Sequence, residues 1–329
     1  MKVMFSRNRF KKILQSIPID WLLNGEPFVK YRTLIDLLDK DRKDKEVLAV
    51  ENLVSKHKLV KQIFAKQNKD GYWGTPADIY KWWPKKDTTF WLLDVLADFG
   101  FKKDNKKIAC AGEYVFSTQH SKGSFGCAPP HKPYDCYTGI LTESLAKLGY
   151  TEDERLNKAY DWLIQRQRRD GGFWCKDTGQ PGGPRELEPS CAFASLFVLG
   201  ALAVNPELKN NKITKKTGEF LLKCWENRGK IKYAGHDSQI GKGWEKLKYP
   251  FTDYRILKYL DILSQFDFVK NDPRMIAMID LLFSKQDKAG RFYAESIHKV
   301  WSGFDFGQKE IPSRWITLIV YRIVKRLSS

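Results

Sequence analysis

The chain has 329 residues, 42% hydrophobic and 14% aromatic with 11 Trp, which excludes a disordered polypeptide and allows a large core without covalent staples. It carries 57 Lys and Arg against 39 Asp and Glu, a formal charge of +18 that permits an anionic partner without requiring one. The lysines are scattered, with only short runs such as Lys102-Lys103 and Lys106-Lys107, so the basic stripe of a nucleic-acid binder is missing and nucleic acid is not an expected partner.

The first eighteen residues have basic groups but no continuous apolar stretch or small-residue cleavage site, so no secretory signal is expected there. The longest apolar run, Cys191 to Val204 between Pro189 and Pro206, is too short to span a bilayer and reads as a buried helix. A cytoplasmic protein without a transmembrane segment is the expectation, and its six cysteines then read as thiols or metal ligands before disulfides.

In chain order the periodicity predicts outer, amphipathic helices at about 9–22, 44–66, 104–118, 153–166, 212–226 and 273–285. Each is followed by a more apolar inner helix, at about 28–39, 88–99, 136–148, 190–203, 252–264 and 313–326. Between outer and inner helix lies a repeated loop: Gln67-Asn-Lys-Asp-Gly71-Tyr-Trp73, Gln119 to Phe125, Gln167 to Phe173, a degenerate copy from Asn227 to Tyr233, and Gln286 to Phe292. Their first residues are 48 to 60 positions apart. Loops from outer to inner helix are long and those from inner to outer are short, so the irregular structure collects where inner helices begin, and loops of that length are usually functional. Helix N-termini at that end favour anions and thiolates. Six helix pairs give an all-α fold, an (α/α)6 toroid with six inner and six outer helices, expected as a single domain over 1–329 with repeats over about 44–327.

The Gln-x-x-Asp-Gly-aromatic repeats resemble those of the terpenoid cyclase and protein prenyltransferase α/α-toroid superfamily, and Lys30-Tyr-Arg-Thr-Leu-Ile-Asp-Leu-Leu38 resembles a microbial branch of it. Such repeats specify a fold and leave the reaction open, since polysaccharide lyases and thioester domains use related toroids.

Cys127, Cys136, Cys175 and Cys191 fall in the long loops or at inner-helix starts, whereas Cys110 and Cys224 lie in outer helices and read as core thiols. Asp135-Cys136 resembles the zinc-ligating Asp and Cys of a prenyltransferase catalytic subunit, and Cys191 aligns with that family's zinc-ligating His. The Asp is adjacent to the Cys here, where the family leaves one residue between, and His has become Cys. Four thiolates would make a closed tetrahedral zinc site, with Asp135 as an alternate ligand and an iron–sulfur cluster as the alternative cofactor. Buried thiols without metal are the plain alternative. His120 and His131 are secondary ligand candidates, His57 reads as an outer-helix surface residue, and His236 and His298 lie in other long loops.

Class II terpene cyclases protonate an alkene with an Asp-x-Asp-Asp motif, and none occurs here. Asp87 and Asp253 are the acidic candidates near inner-helix starts, where an ordinary helix N-cap is the plainer reading, so protonation-initiated cyclisation is disfavoured. Arg255 and Lys258, with Tyr254 and Tyr259, resemble the basic pair that holds diphosphate in prenyltransferases, and Lys248, Tyr249, Arg185 and Arg314 could contribute. Ion pairing with Asp253, Asp261 or solvent explains the two cations as well. Trp82 and Trp83, with Tyr80, Trp91, Trp174, Trp244 and Trp301, could line an isoprenoid channel or simply fill the core. The expectation is a toroid with a Cys-ligated metal that binds a prenyl diphosphate or similar apolar anionic molecule. If catalytic, its metal would activate a thiol or water while Arg255 and Lys258 stabilise a leaving diphosphate. A non-catalytic module with a structural metal is the alternative, and a glycan-processing toroid is third, without a convincing carboxylate pair. The prenyltransferase resemblance also allows a partner subunit.

Overall fold

The computed structural model describes residues 2–75, 87–127, 132–175, 184–234, 242–251 and 255–329, with the side chains of residues 2–8, 127, 132 and 242 outside that description. The helices are α1 (Lys2–Gln15), α2 (Ile19–Leu23), α3 (Pro27–Asp36), α4 (Lys45–Lys56), α5 (Lys58–Ala65), α6 (Thr89–Asp98), α7 (Lys106–Ser117), α8 (Asp135–Leu145), α9 (Glu154–Ile164), α10 (Ala192–Ala203), α11 (Lys212–Glu226), α12 (Ile256–Leu263), α13 (Pro273–Phe283) and α14 (Arg314–Ser328). Among the described residues the only strands are the two-residue β1 (Gly126–Cys127) and β2 (Lys132–Pro133), paired antiparallel. The chain divides into a terminal unit, residues 1–62 with 243–329, and a middle unit, residues 63–242.

Outer helices begin by one rule. Asp44, Asn105, Asp153, Asn211 and Asp272 each accept the backbone N–H two residues on, at 2.8 to 3.1 Å, which satisfies a donor the helix cannot. Inner helices open without an Asp or Asn cap and are nearly wholly buried: every residue of α6, α8, α10 and α12 is. Two expected boundaries move. The first outer helix stops at Gln15 and restarts as α2 after Pro18, whose ring disfavours helix in the residue before it. The second breaks at His57, whose backbone is extended (ψ 134°), so His57 lies between two helices instead of on one.

The repeat loops act as locks. In the middle unit the amide Nε2 of Gln67, Gln119 and Gln167 donates to the carbonyl of its own loop's Gly71, Gly123 or Gly171 at 2.8 to 3.2 Å. Each also donates, at 2.8 Å, to the carbonyl of the second residue of the next outer helix: Lys107, Arg155 and Ile213. The loop aromatic then fixes the inner helix. The backbone N–H of Trp73, Phe125 and Phe173 donates at 2.9 to 3.0 Å to the hydroxyl of Thr89, Thr138 and Ser195. The terminal unit repeats this last bond between Phe292 and Thr317 at 3.0 Å, but its Gln286 instead donates to the Tyr321 hydroxyl at 2.8 Å. Gly123 shows why a side chain is forbidden in the loop: its φ is +98°, and a Cβ would stand 2.1 Å from the Lys158 carbonyl oxygen. In the degenerate fourth copy, the Asn227 amide turns back to the Lys223 carbonyl of its own helix at 3.0 Å.

Candidate functional site

In the middle unit, α8 and α10 touch backbone to backbone because Gly139 has no Cβ; one would lie 2.8 Å from the Phe197 carbonyl carbon. That approach brings the starts of the two helices together. Cys136 is the second residue of α8, and Cys191 is the N-cap of α10, its Sγ accepting the Ala194 N–H at 3.4 Å. Cys175 hangs from the preceding loop with its Sγ 3.4 Å from that of Cys136, and all three residues are buried. Cys127 has its backbone in β1, and its side chain lies outside the described residues.

Cys136 and Cys191 are thiols and not thiolates. Helix N-termini favour negative sulfur, but burial outweighs them here. Burial, then the hydrogen bond and charge of Cys175, hold the Cys136 thiol well above its usual range. Burial likewise pushes Cys191 up to about 12, with the Ala194 N–H offsetting part of the rise. A metal would therefore have to displace protons. Asp135, the alternate ligand, is fully buried with both oxygens already engaged: Arg166 Nε and Nη2 donate to them at 2.8 and 3.0 Å. It is the partner of Arg166, whose guanidinium stacks 4.2 Å from the Trp162 ring centre. Arg166 and the hydroxyls of Thr138 and Ser195 were not singled out by the sequence. The hydroxyls have a signal there, since each sits three or four residues past an inner-helix start.

Among the described residues no three His, Cys, Asp or Glu side chains stand ready to hold a metal ion. The 3.4 Å between Cys136 and Cys175 is nonetheless near the sulfur–sulfur separation of about 3.8 Å that 2.3 Å tetrahedral bonds imply. Cys136, Cys175 and Cys191 are the residues that would hold a metal, with Cys127 as fourth. His120 is otherwise engaged: its Nδ1 accepts the Lys122 N–H at 3.2 Å. His131 and His236 lie outside the described residues. Of the outer-helix cysteines, Cys224 is buried as expected, whereas Cys110 is only half-buried.

The terminal unit holds the basic candidates. Arg255 caps α12 and donates Nη1 to the Gly243 carbonyl at 2.5 Å. Lys258 is buried with its ammonium 5.2 Å from the Phe251 ring centre, and Lys248 is buried nearby in sequence. Trp244 and Tyr259 meet at 4.8 Å with their planes tilted by 51°, and Tyr249 meets Phe251, Phe306 and Trp315 at 4.7 to 5.5 Å. Arg314 donates Nε to the Trp21 carbonyl at 2.9 Å with its guanidinium over that indole. Trp91, Trp244 and Trp301 are buried packing residues of their own units. Arg185, in the middle unit, is exposed and paired with Glu188 at 3.9 Å. Asp87 is not a cap: it precedes the N-cap Thr88 with φ 60° and faces Lys66 at 3.4 Å. Asp253, Tyr254, Tyr80, Trp82 and Trp83 lie outside the described residues.

The chain belongs to the squalene-hopene cyclase C-terminal domain family, which matches residues 82–249, just over half of its length. It is an all-α protein of that superfamily's α/α-toroid class. It is 26% identical over 184 residues to the squalene–hopene cyclase of Bradyrhizobium diazoefficiens, a stretch covering 54% of this chain and 25% of that protein. The chain thus spans a quarter of the relative it matches. Among solved structures it is similar to the type II terpene cyclase MstE from Scytonema, at 13% identity and a TM-score of 0.45 over 99% of this chain and 98% of the other. It is equally similar to a glycosyl hydrolase family 88 protein from Bacteroides vulgatus, at 12% identity and a TM-score of 0.49 over 98% and 99%. Likenesses of that depth do not select a reaction. Among the described residues no helix is long and apolar enough to cross a membrane.

Proposed function

We propose that this toroid binds an apolar anionic molecule of the prenyl diphosphate kind, and that its middle unit carries a thiol-ligated metal, zinc in preference to an iron–sulfur cluster. The observation that carries the metal is the gathering of Cys136, Cys175 and Cys191 at the starts of two successive inner helices. The ligand reading is supported by family membership and by Arg255 and Lys258 on the first turn of α12, among Phe251, Trp244 and Tyr259. The thiols' burial suits a closed ion that fixes the loops better than an open one that meets substrate, which favours the structural-metal alternative.

Metal analysis of protein kept reduced throughout tests the first part. One equivalent of zinc or iron is expected, lost in Cys136→Ala and Cys191→Ala and kept in Cys110→Ala; metal-free wild-type protein would sink it. For the second part, calorimetric titration with a prenyl diphosphate should show Arg255→Ala binding about tenfold more weakly, and equal affinity would remove Arg255 from the site.

A further inference from the structure

The three buried thiols of the middle unit are anchored by separate means. Cys136 belongs to the first turn of α8, whose start is fixed by the Arg166 bonds to Asp135 at 2.8 and 3.0 Å. Cys175 stands two residues beyond Phe173, which is locked twice: its N–H donates to the Ser195 hydroxyl and its carbonyl accepts the Cys191 N–H, both at 2.9 Å. Between these anchors the Cys175 thiol donates to the Cys136 sulfur at 3.4 Å. Cys191 is occupied differently. Its sulfur caps α10 through the Ala194 N–H at 3.4 Å, and drawing it away would take a partner from a buried donor.

A disulfide places its sulfurs about 2.05 Å apart. From 3.4 Å the gap left between Cys136 and Cys175 is on the scale of a small side-chain rotation, with both anchors kept. The two residues are 8 and 9% exposed, which shuts out a bulky disulfide reagent and admits an oxidant little larger than water. Burial slows the arrival of that oxidant, whereas the end state is set by which sulfurs are already in contact.

We propose that Cys136 and Cys175 form a redox modification site, a dithiol that a small hydroperoxide converts to a disulfide joining the loop before α10 to the start of α8. The Cys175 sulfur attacks one peroxide oxygen, the O–O bond breaks, and the departing hydroxide takes the thiol proton to become water, leaving a sulfenic acid. The Cys136 sulfur then attacks Cys175 Sγ, making the S–S bond and expelling hydroxide, which takes the Cys136 proton as a second water. Two thiols and one peroxide give one disulfide and two waters, each sulfur losing one electron and the peroxide gaining two. With the second sulfur in contact, the sulfenic acid is resolved before more oxidant carries it to the irreversible sulfinic state. The same two sulfurs serve the proposed metal, so ion and disulfide exclude one another, but the bond needs only their contact and does not depend on the metal.

The test uses the full chain, reduced, freed of metal by chelation, desalted and exposed to hydrogen peroxide. Intact mass should fall by two hydrogens, and peptide mapping should find Cys136 joined to Cys175, with the original mass restored by dithiothreitol. Cys191→Ser should form the same bond. Cys136→Ser and Cys175→Ser should lack it, the remaining sulfur of the pair instead taking up oxygen that dithiothreitol does not remove. A parent chain that gains oxygen without the cross-link, a cross-link made by other cysteines, or loss of the bond in Cys191→Ser would overturn the proposal. Should a serine variant fail to fold, the peptide map of the parent decides alone. Protein purified without metal would remove the metal reading and leave this result standing, so the two fail separately.

Discussion

Asp135 and Asp305 are both acids beside the start of an inner helix, the first fully buried in the middle unit and the second half-buried in the terminal unit. Asp135 has a guanidinium bonded to each oxygen, and Cys136 beside it is a protonated thiol. Asp305 has one oxygen bonded to the Ser313 hydroxyl and the Trp315 N–H and the other without a partner, and Arg314 acts on it through its charge and its backbone N–H. The difference shows that burial alone does not make a carboxylate responsive. A buried charge with a fully bonded opposite charge is fixed, whereas one left half satisfied is pushed up by its desolvation.

Four experiments would break or sharpen that contrast. Asp135→Ala leaves Arg166 charged, with only 11% of its side chain exposed, and should cost about 3–5 kcal/mol in urea denaturation. Asp305→Asn removes a carboxylate that makes no bidentate ion pair and should cost about 1 kcal/mol at pH 7; equal losses would erase the distinction. Gly123→Ala should cost about 2–3 kcal/mol, because its φ of +98° and the 2.1 Å approach to the Lys158 carbonyl act together. Next come Thr138→Val and Thr317→Val, one in each unit, which leave the N–H of Phe125 or Phe292 buried and unbonded. Each should cost about 1–2 kcal/mol, and similar values would show that the loop lock works alike in both units. Smallest for stability is thiol labelling at pH 7: Cys110, half-buried, should react ahead of Cys136, Cys191 and Cys224. Unchanged kinetics in Cys110→Ala would contradict that order.

Alkaline pH separates the units further. Thiols raised by burial lose their contribution only as the pH climbs past the ordinary cysteine value of 9 towards about 12, whereas Glu26 of the terminal unit, which burial pushes from 4.5 up to about 8, loses its own between those two values. Circular dichroism followed against pH should show two separate losses of stability.

Much of the helical order was legible, since each outer helix from α4 on opens with an Asp or Asn cap and the inner ones are marked by apolar runs. α11 falls on the expected residues 212–226, and α10 ends where expected. The break at His57 was not legible, because apolar spacing continues from Val54 to Val60 across it. The thiol cluster was readable through the repeat, which places equivalent positions together. The Asp135–Arg166 pair, and still more Arg314 with Trp21 from opposite ends of the chain, join positions that no period relates. Helix N-termini were expected to lower thiol pKa values; the local dipole is legible from sequence, but the desolvation that exceeds it depends on what covers the sulfur.

The glutamine bonds also bear on how such a chain could have grown. Gln67, Gln119 and Gln167 each tie a loop to the outer helix of the next pair, and not to the pair it belongs to. A duplication cut at the ends of a helix pair would leave one amide with nothing to hold. A segment copied from one glutamine to the next brings its own acceptor, so the heritable module of this architecture runs from loop to loop, with the helix pair straddling its joints.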